Sequence, residues 1–86
     1  MSTFLLNITS PDGKMFEGEA QMVTARGVEG DLAILAGHIP FITALQPCDC
    51  KVVLEDGTEK LGTADGGLLT VTPEKVTLLS GSFQWK

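Results

Sequence analysis

Apolar and polar residues alternate along most of the chain, and no stretch sustains a helical period over ten or more residues. Phe4, Leu6 and Ile8 fall on one face of an extended segment, with Leu5, Asn7 and Thr9 on the other. Ser10-Pro11-Asp12-Gly13 is turn chemistry, because proline presets φ and glycine accepts the positive φ of a tight hairpin. Residues 14–17 return as a short strand that Gly18 is expected to end, and residues 21–25 make the next. Gly27-Val28-Glu29-Gly30-Asp31 reads as a loop before the apolar run 32–35, and residues 41–45 read as a strand held between Pro40 and Pro47. Residues 50–55 and 58–63 flank an Asp56-Gly57 turn, while residues 68–72 and 76–79 flank Pro73-Glu74-Lys75. Eight to ten short strands at this spacing predict an all-β sandwich or barrel in one domain.

Length limits the rest. Eighty-six residues hold one small core, so nearly every apolar side chain is needed for it. A hydrophobic share of 43% argues against disorder. Eleven acids against six bases leave a net charge of −5, and the six bases are scattered. Nucleic-acid binding needs clustered Lys and Arg to displace counterions, so that class is excluded. The longest apolar run, residues 32–36, is far short of the ~20 residues of a membrane helix, and the N-terminus lacks the pattern of a secretory signal. No direct membrane insertion is expected, and the two cysteines suit a reducing compartment.

Reactive constellations are sparse. There is one histidine, His38, and no Gly-x-Ser-x-Gly elbow to present a nucleophilic serine to it. Cys48, Cys50 and His38, with Asp49 as a fourth donor, could hold a metal, although structural zinc sites favour wider cysteine spacing. This site defines an alternative reading, a small metal-binding β-domain; otherwise the two are free thiols on a strand, one half-buried. Gly27-x-x-Gly30 has the form of a phosphate-cradling loop, but Glu29 and Asp31 would repel phosphate. That acid pair reads more simply as a solvated turn. The segment 35–41, with Ile39 and Phe41 flanking Pro40, is either tucked into the core or an interaction edge.

Residues 27–47, GVEGDLAILAGHIPFITALQP, closely resemble the signature of the epsilon subunit of rotary proton-translocating ATP synthases. Ser10-Pro11-Asp12-Gly13-Lys14-Met15-Phe16-Glu17-Gly18 upstream and residues 66–79 downstream extend the resemblance over about residues 3–80. Ala33, Ala36, Phe41, Cys48 and Asp65 depart from the family pattern; Cys48 stands where a glycine is usual, so the turn after Pro47 either needs no positive φ or tolerates some strain.

The resemblance implies a ten-stranded β-sandwich of two five-stranded sheets. It implies a non-catalytic rotor subunit, without a cofactor, that binds the gamma subunit and the c-subunit ring and couples proton flow to ATP synthesis. Other subunits of the catalytic head would be met only indirectly, and the location would be the cytoplasmic face of the bacterial inner membrane. Carried over by position, Glu29, Gly30 and Asp31 face the c ring, and Ser10, His38, Ile39, Pro40 and Thr43 lie against gamma. Relatives commonly carry a C-terminal helical hairpin that regulates hydrolysis. No helical segment follows the sandwich in residues 80–86, so coupling without that inhibition is expected. Phe83 and Trp85 are expected to cap the sandwich edge instead.

Overall fold

A computed structural model describes residues 3–37 and 40–86. Seven strands are found among them: β1 (Phe4–Ser10), β2 (Gly13–Gly27), β3 (Gly30–Leu35), β4 (Phe41–Leu54), β5 (Glu59–Val71), β6 (Lys75–Leu79) and β7 (Phe83–Trp85). The all-β, single-domain expectation holds at that level. The strand count differs, because β2, β4 and β5 run for 15, 14 and 13 residues and absorb the stops expected inside them.

Each misjudged stop has a local reason. Gly18 does not end β2; it pairs with Leu6 inside the antiparallel run that joins β2 to β1. Pro47 does not end β4, where it pairs with Asp65 of β5. It falls between the Leu45–Gly27 and Lys51–Thr24 pairs, an interval in which β2 has no partner residue on β4, so a missing N–H is tolerated. Cys48 is extended strand, and no non-glycine residue among those described has a positive φ.

The long strands change neighbours along their length. Residues 13–20 of β2 pair with β1, whereas residues 22–27 pair with β3. β5 meets β4 almost throughout, but its other edge takes β7 at residues 62–64 and β6 at residues 68–71. Gly66 and Gly67, at φ 77° and 134°, make the bend between those two stretches. A Cβ at Gly67 would fall on the backbone of Leu79 and Ser80, so only glycine lets β5 cross there. β1 and β6 run parallel; every other pairing is antiparallel. Pairing of β1 with both β2 and β6 closes the circuit β1-β6-β5-β4-β2.

A flattened closed sheet results. Its β6 side contains β1, residues 13–20 of β2, β6, residues 67–71 of β5 and residues 41–45 of β4. Its β7 side contains β3, residues 22–27 of β2, residues 47–54 of β4, residues 59–65 of β5, and β7. Phe4, Leu6, Ile8, Leu69, Val71, Val76 and Leu78 fill the core from the β6 side; Val23, Ile34, Cys50, Val52, Ala64 and Phe83 fill it from the other. Burying each large aliphatic side chain contributes about 1.5–3 kcal/mol. Alternation thus does its expected work on both sides.

The turns follow their chemistry. The Ser10 hydroxyl accepts the Asp12 N–H at 3.3 Å ahead of Gly13, which has φ 127°. Asp56 accepts the Thr58 N–H at 2.9 Å, which holds its carboxyl below the usual range. β7 closes one edge as the sequence predicts. Phe83 is buried, its ring lies edge-on to Trp85 at 4.9 Å, and the Trp85 indole N–H donates to the Met15 carbonyl at 3.0 Å. Lys60 Nζ sits 4.3 Å from the Trp85 ring centroid, a cation–π contact.

Candidate functional site

The β2–β3 hairpin carries the first group of expected contact residues. Gly27 pairs with Gly30 across Val28 and Glu29, and φ at Gly30 is 134°, which a side chain would strain. The same register sets Arg26 opposite Asp31, where Arg26 Nε donates to Asp31 Oδ1 at 2.7 Å. That bond and its charge raise the Arg26 pKa further. Asp31 is therefore ion-paired, and Glu29, exposed at the tip, carries an outward negative charge without that partner. The tip is anchored to β4, for the Val28 N–H donates to the Ala44 carbonyl at 3.0 Å.

Thr43, expected in a different contact, stands beside this hairpin. An open groove of about 370 Å³ is lined by Gly27, Glu29, Gly30, Asp31 and Leu32 on one wall and Phe41, Ile42 and Thr43 on the other. Pro40 is exposed at its β4 end. His38 and Ile39 lie outside the described residues. Ser10 is separate, in a shallow cleft of about 390 Å³ with Thr9, Pro11, Gly67, Leu68, Leu79, Ser80 and Gly81.

An apolar band joins the two places. On the outward face of the β6 side, Thr9 pairs with Leu79, Leu79 with Leu68, and Leu68 with Ala44, whose carbonyl holds Val28. The neighbouring row runs Asn7, Thr77, Thr70, Ile42. From β1 to β4 neither row contains a charge; across β1 they continue to Lys14 and Glu17 of β2. Ile42 is 66% exposed, Val28 57%, Leu79 45% and Leu68 38%. Such an uncharged face with exposed leucines and an isoleucine, on a small domain, marks an interaction surface. The sequence carried a signal for it: in a strand, the Leu68-Leu69 and Leu78-Leu79 doublets must each place one leucine outward.

The cysteines share the inner face of β4, as spacing requires. Cys50 is 1% exposed and Cys48 half-buried, both thiols are free, and the sulfurs are 4.0 Å apart. Burial and the neighbouring Cys48 push the Cys50 thiol up to about 12. Asp49 points to the opposite face and pairs with Lys86 at 2.9 Å, so its expected place as a fourth metal donor is withdrawn. Among the described residues no three of His, Cys, Asp and Glu gather closely enough to hold an ion.

Comparison with known proteins fits the fold. Residues 3–86 match the family described as ATP synthase, Delta/Epsilon chain, beta-sandwich domain. A protein of Exiguobacterium sp. named ATP synthase epsilon chain is 44% identical over 80 residues, 93% of this chain and 59% of that relative. The chain thus spans under two thirds of that relative's length. A chain of the Euglena gracilis mitochondrial ATP synthase (OSCP/F1/c-ring) superposes with a TM-score of 0.91 at 23% identity, covering 99% of this chain and 54% of that one. One from the Tetrahymena thermophila mitochondrial ATP synthase central stalk and c ring gives 0.77 at 13% identity, covering 95% and 66%. At those identities the likeness is one of fold.

Proposed function

The chain belongs to the ATP synthase delta/epsilon β-sandwich family, and on that premise we propose that it is a non-catalytic rotor component of an ATP synthase central stalk. It binds the gamma subunit and the c ring, as part of a membrane-associated complex at the cytoplasmic face of a bacterial inner membrane, and couples proton translocation to ATP synthesis. The coupling role is assigned to the sandwich described above. Divided where they change neighbours, β2, β4 and β5 turn seven strands into ten segments. The two sides then read as the two five-stranded sheets typical of the family.

One observation supports this reading above the others: the uncharged band that runs from the Ser10 cleft to the Glu29 hairpin across four paired strands. Gamma is assigned to that band, with Ser10 at one end and Pro40 and Thr43 at the other. His38 and Ile39, in the segment between β3 and β4, belong to the same assignment. The c ring is assigned to the hairpin tip, where Glu29 and Gly30 project and Asp31 braces Arg26. An acidic tip suits basic or amide partners. Stiffness suits torque transfer, because a closed, close-packed sheet has little room to deform.

Co-purification with gamma and the c ring tests the proposal; failure to bind gamma at micromolar concentration removes it. Joint charge reversal, Glu29→Lys with Asp31→Lys, is expected to weaken coupling while leaving the fold intact. Undiminished coupled proton pumping by that variant would remove the c-ring contact.

A further inference from the structure

The cleft beside Ser10 exists because β5 bends at Gly66 and Gly67. Gly67 lies so close to the Leu79 and Ser80 backbone that a Cβ would collide with it. The register of β5 on β6 then sets two outward leucines, Leu68 and Leu79, side by side. Pro11, in the turn between β1 and β2, and Gly81, just after β6, complete the walls of a space of about 390 Å³.

Polar groups around this cleft are already bonded within the chain. The Thr9 carbonyl takes the Ser80 N–H at 3.0 Å. The Ser80 hydroxyl donates to the Gly66 carbonyl at 2.8 Å and accepts the Ser82 N–H at 3.3 Å. The Ser10 hydroxyl accepts the Asp12 N–H. Among the described residues that line the space, none is charged. An occupant therefore meets chiefly the Pro11 ring, the half-exposed side chains of Leu68 and Leu79, and the bare backbone of two glycines. An apolar group seated there buries carbon against carbon, whereas a charged one would find no counter-charge. The same hydrogen bonds hold the walls in place before a partner arrives, so binding loses little conformational freedom.

We propose that this cleft is the anchor pocket of the gamma contact, and that it takes one large apolar side chain, aliphatic or aromatic, projecting from the gamma subunit. The proposal rests on the rotor reading and adds to it where binding energy is concentrated, because the few side chains that dominate an interface sit in well-packed pockets. The cleft is continuous with the uncharged band through Leu79 and Leu68. Anchor and flatter contact thus belong to one surface.

Gly81 supplies the test. Its φ lies outside the left-handed region and a Cβ there meets no atom within 4 Å, so Gly81→Phe fills the cleft while the strands keep their register. Affinity of the full chain for gamma, measured by calorimetry, is expected to fall at least about 30-fold. Gly81→Ala leaves the cleft open and should bind within about threefold of wild type. Isotope-filtered NMR contacts between Pro11 or Gly81 of the wild-type chain and methyl or aromatic protons of gamma decide the matter even if Gly81→Phe fails to fold. Wild-type affinity in a folded Gly81→Phe, or absence of those NMR contacts in the complex, overturns the anchor and leaves the rotor reading in place. No gamma binding by the wild-type chain removes both. Self-association of the chain that Gly81→Phe abolishes would overturn the proposal by assigning the cleft to a second copy.

Discussion

The two outward faces of this small sandwich differ in how charge is distributed over them. On the β7 side the outward positions carry Arg26, Asp31, Asp49, Lys51, Glu59 and Asp65 around the exposed Leu35 and Leu61, and ion pairs join Arg26 to Asp31 and Asp49 to Lys86. On the β6 side, the two rows from β1 to β4 contain leucine, isoleucine, alanine, threonine and asparagine and no charge, and the ion pair of Lys14 with Glu17 stands at the β2 edge. Both faces sit on equally regular strands, so packing of the core does not explain the contrast. A charged face is complete in water, whereas an apolar one reaches its lowest free energy when covered. The difference assigns the partner to the β6 side.

Breaking the join between the sides should have the largest effect. Gly67→Ala places a Cβ against the Leu79 and Ser80 backbone at φ 134° and is expected to cost about 4 kcal/mol or more, or to prevent folding. Urea denaturation reads this directly, and wild-type stability would show that β5 does not need its bend.

Alkaline pH should act next, and on the β7 side, where Cys50 is buried. Its thiol pKa rises from 9.0 to about 12 on folding, so the folded chain holds a proton that the unfolded chain releases. Stability is therefore complete below pH 9 and declines between pH 9 and 12, at no more than about 1.4 kcal/mol per pH unit. Cys50→Ala should remove that slope, which pH-dependent denaturation would reveal.

A smaller change sharpens the contrast between faces. Leu68→Lys with Leu79→Lys puts charge on exposed positions of the apolar band, so stability should move by less than about 1 kcal/mol. Affinity for gamma should fall at least tenfold, about 1.4 kcal/mol. Thr63→Lys, outward on the β7 side, should leave binding alone; equal loss from both variants would erase the distinction. The smallest effect belongs to Asp49→Asn, which breaks an exposed ion pair and should shift stability by less than about 0.5 kcal/mol.

Much of the fold is legible in the alternation, as Phe4, Leu6 and Ile8 illustrate, and the turns at Asp12-Gly13 and Asp56-Gly57 lie where their residues place them. Strand length is not legible, because Gly18, Pro47 and Gly66-Gly67 look like punctuation. Gly18 lies inside an unbroken run of pairs with β1, whereas Pro47 and Gly66-Gly67 are points at which a strand bends or changes neighbour and the alternation slips by one residue. The hairpin acids were visible, but the pairing of Asp31 with Arg26 depends on the Gly27–Gly30 register. Likewise, Leu79, Leu68 and Ala44 come together only when three strands are set side by side.

The most direct test of the partner face is carbene footprinting of the chain, free and then assembled with gamma and the c ring. Ile42, Leu68 and Leu79 are predicted to lose labelling on assembly, while Leu61, half-exposed on the β7 side, keeps it. Loss at Leu61 with unchanged labelling of the other three would contradict the account.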